Sequence, residues 1–176
     1  YASEEKSVYL LTGKVETVSF DLVKISGYLT ITTTPSNAAV YCNGRSIAKS
    51  NVELDEGSYT LTLRAFGYED LTDTAVITRN KTTYVTKTMQ KTPFYLRSFS
   101  SNNEAFNPNI KGKHSSVKLT WYVTAPEKGN VVITNEHGSR IASWDVTFTT
   151  WEQYIEWDGK INDKAVADRS EEHTSE

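Results

Sequence analysis

The side chains able to do chemistry are few and scattered along this 176-residue chain. Its one cysteine, Cys42, stands in an alternating run just before Asn43-Gly44. A thiol nucleophile needs a base partner and a neighbour that lowers its pKa, commonly a helix N-terminus. Nothing in the sequence brings His114 or His137 to Cys42, so the thiol reads as a small strand residue. With His173 far away, the three histidines also lack the spacing of a zinc site. The acidic pairs Asp55-Glu56 and Glu69-Asp70 suggest general acid–base work only at first sight. Glycosidase carboxyls oppose one another across a cleft, about 5–9.5 Å apart, whereas adjacent acids at strand ends point in different directions. Solvated turns account for both pairs. Gly-rich phosphate loops and a Gly-x-Ser-x-Gly elbow are absent. No catalytic residue, cofactor site or metal site is expected.

Aromatic stacking is the remaining chemistry, because ring faces suit the apolar faces of pyranoses. Of the four tryptophans, Trp121 and Trp157 fall on the apolar side of alternating runs and are assigned to the core. Trp144 and Trp151 flank Asp145 to Thr150 and are the candidates for ligand stacking. Tyr28, Tyr41 and Tyr84 are explained equally well by cross-strand packing.

The elements that must hold these residues are strands. Thr occurs 23 times and Val 14 times, against 10 Leu and one Met. Beta-branched and aromatic residues suit a pleated, half-buried surface. Val18, Phe20 and Leu22 alternate with polar neighbours, as do Tyr59, Leu61 and Leu63, and Val117, Leu119, Trp121 and Val123. Turn signals separate such runs at Gly13-Lys14, Asn43-Gly44, Glu56-Gly57, Gly129-Asn130, His137-Gly138 and Asp158-Gly159. No helical stripe of eleven or more residues is found, so the fold class is all-β, in small sandwich modules. A 38% apolar content is ample for packed cores, and a net charge of -3 without a basic cluster argues against nucleic acid as a partner. Apolar runs such as Val8 to Leu11 are far short of the roughly 20 residues that span a bilayer, so no membrane insertion is expected.

A shift of 67 positions aligns residues 1–24 with 68–91 and brings Tyr1, Lys14, Val18 and Lys24 onto identical residues. The turn at Gly13-Lys14 then meets Asn80-Lys81. The chain is therefore expected to open within a first copy of a repeat, of which residues 1–26 are the last hairpin, and to continue with a full copy over 27–92.

The full copy resembles a PEGA domain. The resemblance rests on Gly27-Tyr-Leu-Thr-Ile-Thr-Thr-Thr-Pro35, Ala39-Val-Tyr-Cys-Asn-Gly44, Leu54-Asp-Glu-Gly-Ser-Tyr-Thr-Leu-Thr-Leu63 and Gly67-Tyr68. Pro35-Ser-Asn-Ala38 stands where that family carries Pro-Glu-Gly-Ala. Residues 93–168 resemble an immunoglobulin-like domain of bacterial secreted proteins, of the FlgD-like kind found in the flagellar hook-capping protein. The cues are Ala105-Phe-Asn-Pro-Asn109, Val131-Val-Ile-Thr-Asn-Glu-His-Gly138 and Tyr154-Ile-Glu-Trp-Asp-Gly-Lys160. Related domains often carry a calcium loop where this chain has Pro108-Asn-Ile-Lys-Gly-Lys113, and two lysines in place of acids argue against calcium. The resemblance implies a last core strand after Ala165-Val166. Arg169 to Glu176 instead reads as a translated sequencing adapter and is set aside.

The expected function is a non-catalytic structural or adhesive array in a bacterial cell-envelope or secreted protein. Its partners would be cell-wall or surface glycan or other envelope proteins, and its extracytoplasmic location is implied by the resemblances. Two alternatives stay open: a carbohydrate-binding accessory region, and the C-terminal scaffold of a secreted enzyme whose catalytic domain lies elsewhere.

Overall fold

The computed structural model describes residues 2–9, 11–161 and 164–166; the adapter-like segment and the expected last strand lie outside them. The described elements are all strands. They fall into two compact units, one made of the chain up to Ala65 with Glu69–Met89, the other of Phe66–Tyr68 and the chain from Gln90 onward.

The first unit contains β1 (Ser26–Thr34), β2 (Ala39–Cys42), β3 (Arg45–Ile47), β4 (Val52–Asp55), β5 (Gly57–Arg64), β6 (Leu71–Ile77) and β7 (Thr82–Thr88). They form a three-stranded sheet ordered β4-β1-β7 and a four-stranded sheet ordered β3-β2-β5-β6. Period-2 alternation sends one face of each sheet inward. Leu29 and Ile31 are buried from the first sheet, and Val40, Cys42, Leu61, Leu63, Ala75 and Ile77 from the second. Thr33 is the buried polar residue among those described. Its hydroxyl donates to Pro35 O (2.8 Å) and accepts from Lys49 Nζ (2.8 Å), so its burial leaves no group unpaired. The Asn43-Gly44 signal becomes a two-residue hairpin with Cys42 opposite Arg45. Both turn residues have positive φ, 47° and 80°, the conformation that matches the right-handed strand twist.

Residues 2–24 depart from the alternation. The run through Val18, Phe20 and Leu22 forms no ladder, and these side chains are 38%, 48% and 57% exposed. Among the described residues no further strand pairs with this segment, and an isolated two-stranded hairpin is marginal in water, so alternation alone does not make a sheet. The turn itself is present. Lys14 N–H donates to Leu11 O at 3.1 Å, as Lys81 N–H does to Thr78 O at 3.1 Å, 67 positions later. Gly13 and Asn80, also 67 apart, both have positive φ, 80° and 55°. Ala2 N–H donates to Val23 O, and the same shift carries this pair to Glu69 and Gln90, the neighbours of the bridged Tyr68 and Lys91.

The second unit contains β8 (Leu96–Ser101), β9 (Val117–Val123), β10 (Glu127–Thr134), β11 (Arg140–Phe148), β12 (Glu152–Trp157), β13 (Lys160–Ile161) and β14 (Lys164–Ala165). The sheet β12-β9-β8 and the pair β10-β11 enclose Val117, Leu119, Trp121, Val123 and Phe148, with Val131, Ile133, Val146, Ile155 and Trp157 packed around them. Gly129-Asn130, expected to be a turn, lies inside β10 with Gly129 opposite Val146. A Cβ at Gly129 would sit 3.0 Å from the Phe148 ring, so the glycine there makes room for a core aromatic rather than for a reversal. Asp158-Gly159 is a turn as expected: Gly159 has φ 73° and Lys160 N–H donates to Asp158 Oδ1 at 3.0 Å.

Candidate functional site

β11 carries Trp144 on the same face as Val146 and Phe148, and the segment after β11 carries Trp151. Both tryptophans are half-buried. Trp144 packs edge-on against Trp157, with centroids 6.2 Å apart and ring planes at 69°. Trp151 packs edge-on against Phe66, 5.8 Å away at 78°. Its carbonyl accepts from Val123 N–H at 2.8 Å, which ties the segment to β9. Each candidate ring thus has its own aromatic partner in the unit, at the T-shaped geometry that the ring quadrupole favours. The structure places the two in separate pairs and not in one coplanar platform. Trp157 is half-buried at the margin of the core, whereas Trp121 is buried at its centre, 6.0 Å from Phe148.

Several outward aromatics are tyrosines, and one pair of them was not anticipated from the sequence. On β9 and β12 the residues between the core positions include Tyr122 and Tyr154, 38% and 56% exposed. Tyr122 lies opposite Glu152, and Tyr154 opposite Thr120, so the two rings occupy diagonal positions on one face. Lys118 Nζ covers the Tyr154 ring at 3.7 Å from its centroid. The alternation of Val117 to Val123 carries the signal for Tyr122, since every residue between core positions must face outward. The other sheet has a similar diagonal, with Tyr28 opposite Thr82 and Tyr84 opposite Thr30. Tyr41, on β2, is half-buried.

The remaining candidates are used locally. Cys42 is 6% exposed between the sheets, and burial pushes its thiol pKa up, the reverse of what a nucleophile needs. Asp70 pairs with Arg64 at 2.9 Å, and Glu56 accepts from Arg79 N–H at 3.3 Å. In the Phe106 to His114 loop, Asn107 N–H donates to His114 O and Asn107 Oδ1 accepts from Asn109 N–H, so the loop's own amides close it. Among the described residues no group of three or more His, Cys, Asp or Glu is arranged to hold a metal ion. The second unit also holds a hollow of about 440 Å³ whose lining includes Phe66, Tyr68, Lys91, Thr92, Phe94 and Glu127.

One ion pair has a consequence that can be measured. Asp73 of β6 meets Lys87 of β7 at 2.5 Å, joining the two sheets. The hydrogen bond from Lys87, then that from Thr74 N–H, holds the Asp73 carboxyl below its ordinary value. A carboxylate favoured by the fold adds stability above its unfolded pKa and loses it as pH falls through the lower folded value. The pair is about one-third exposed, so its contribution is small. Asp73→Asn is expected to flatten the decline in melting temperature between about pH 5 and pH 3, read by circular dichroism. An unchanged slope would show the pair to be idle.

The fold defines two successive small all-β sandwich units. Residues 26–93 match the family model for the PEGA domain, in agreement with the resemblance noted for the full copy. No curated protein matches the chain. A solved structure similar to it is a DUF3823 family protein from Bacteroides ovatus ATCC 8483. The two are 15% identical over 77% of this chain and 81% of that one, with a TM-score of 0.24.

Proposed function

We propose that the chain is part of a non-catalytic, extracytoplasmic array of β-sandwich modules, serving as a structural or adhesive segment of a bacterial envelope or secreted protein. The observation that carries this reading is the PEGA match over a sandwich whose buried side chains, among those described, are apolar or thiol except Thr33. Such a module turns its apolar side chains inward and offers its outer faces for contact. Residues 93–168 are read as an immunoglobulin-like module of the FlgD-like kind. Leu96 and Phe99 lie opposite Val123 and Trp121 on the core side of β8 yet are 57% and 56% exposed, which supports a further element covering that face. Residues 2–24 are read as the last hairpin of another copy, on the strength of the turn bond and positive φ shared with 78–81.

Envelope partners, glycan or protein, follow from the same reading. Subcellular fractionation of the source cells with an antibody to the chain tests it: recovery with the envelope or the medium is expected, and recovery with the cytosol would overturn it. Trp144→Ala separates the leading reading from a carbohydrate-binding one. Loss of its edge contact with Trp157 is expected to destabilise the second unit by about 0.5–1.5 kcal/mol beyond lost area, with retention on glycan gels unchanged.

A further inference from the structure

We propose that the first unit is a force-bearing module whose terminal strands form a shear clamp. Its first strand, β1, and its last, β7, are direct neighbours and run parallel, paired from Tyr28↔Thr82 to Thr34↔Thr88. Tyr28 N–H donates to Lys81 O and Met89 N–H to Thr34 O, each at 2.8 Å, so the ladder is tied at both ends. The parallel sense decides the mechanics. The chain enters β1 at Ser26 and leaves β7 after Thr88, at opposite ends of one ladder. Tension carried along the polypeptide therefore slides β1 and β7 past each other and loads the evenly spaced bonds of a parallel ladder together. An antiparallel terminal pair would put both attachment points at the same end and open one bond at a time. The core side of the ladder adds resistance to sliding, because Leu29 and Ile31 on β1 are buried and would have to leave their sites. Forced unfolding depends on the unfolding barrier and not on equilibrium stability, so such a module resists load without being unusually stable.

The load-bearing role rests on the array reading, but the clamp itself can be measured apart from cellular location. The full chain is pulled in an optical trap through handles at two exposed positions. Val23→Cys with Gln90→Cys applies shear to the β1–β7 ladder, while Val23→Cys with Arg79→Cys places both handles beside the start of that ladder and peels it. Buried Cys42 is the same in both chains. Matching thermal unfolding of the two double variants and the parent shows that one fold is being pulled, and Lys81 serves as the peeling handle if Arg79→Cys disturbs it. The rupture force in shear is expected to exceed that in peeling by about twofold or more, because all the ladder bonds share the load only in shear. Equal forces, or a lower force in shear, would overturn the clamp. A cytosolic location would instead overturn the array reading and leave the clamp standing.

Discussion

Gly27→Ala is expected to unfold the first unit at denaturant concentrations the parent survives, with a loss of about 3 kcal/mol or more. The cause is a collision with main chain. A Cβ at residue 27 would lie 2.3 Å from Thr78 O, 2.8 Å from Lys81 O and 3.0 Å from Ile77 Cγ2. Two of those atoms belong to the turn between β6 and β7, which cannot retreat freely. Asn80 N–H donates to Ser26 O and Tyr28 N–H to Lys81 O, each at 2.8 Å, so moving the turn away from β1 breaks bonds worth about 1 kcal/mol apiece. Small domains have little stability to lose. Cys42 provides the readout, since it is the one cysteine and is buried in this unit. Its reaction with an excess thiol reagent is expected at a markedly lower urea concentration in the variant. Gly44→Ala is the control. Gly44 has open space around its Cβ position and only the left-handed φ of 80° to oppose a side chain, a penalty of about 1–2 kcal/mol. An equal effect of the two substitutions would refute the steric account.

In the second unit the largest loss is expected from Trp121→Ala. Trp121 is 4% exposed, on the inward face of the central strand β9, and meets Phe148 edge-on at 6.0 Å. Truncating a buried tryptophan costs about 3–5 kcal/mol in transfer and cavity terms. One contribution has the opposite sign. Among the described residues the buried indole Nε1 of Trp121 meets no hydrogen-bond acceptor, and removing a desolvated donor returns about 1–3 kcal/mol. The two terms together bring Trp121→Ala to about 2 kcal/mol, below that range. Trp121→Phe keeps most of the ring and removes the unpaired donor, so it is expected to cost less than half as much. Urea unfolding followed by the fluorescence of the three remaining tryptophans, Trp144, Trp151 and Trp157, reads this unit selectively, since all four tryptophans follow Pro93. A Trp121→Phe variant as unstable as Trp121→Ala would show that the indole N–H is satisfied in solution.

Much of the architecture is legible in residue types alone. Alternation identifies β5 from Tyr59, Leu61 and Leu63, and β9 from Val117 to Val123, because a half-buried strand needs one apolar face. Asn43-Gly44 and Asp158-Gly159 declare their turns through local backbone preference, which acts within four residues and needs no distant partner. The tertiary structure decides the rest. Val18, Phe20 and Leu22 alternate as well as any strand, yet among the described residues they join no ladder and stay 38–57% exposed, because a lone hairpin buries too little of its apolar face. Gly129 carries a turn signal but lies in β10 because Phe148 needs the space. Trp144 and Trp151 could be shortlisted by type, while the edge contacts that occupy them come from Trp157 and Phe66. The parallel pairing of β1 with β7, on which the mechanical proposal stands, leaves no mark in either strand's own residues. A period of two states which side chains face inward, and it is silent on which strand lies alongside and in which direction it runs.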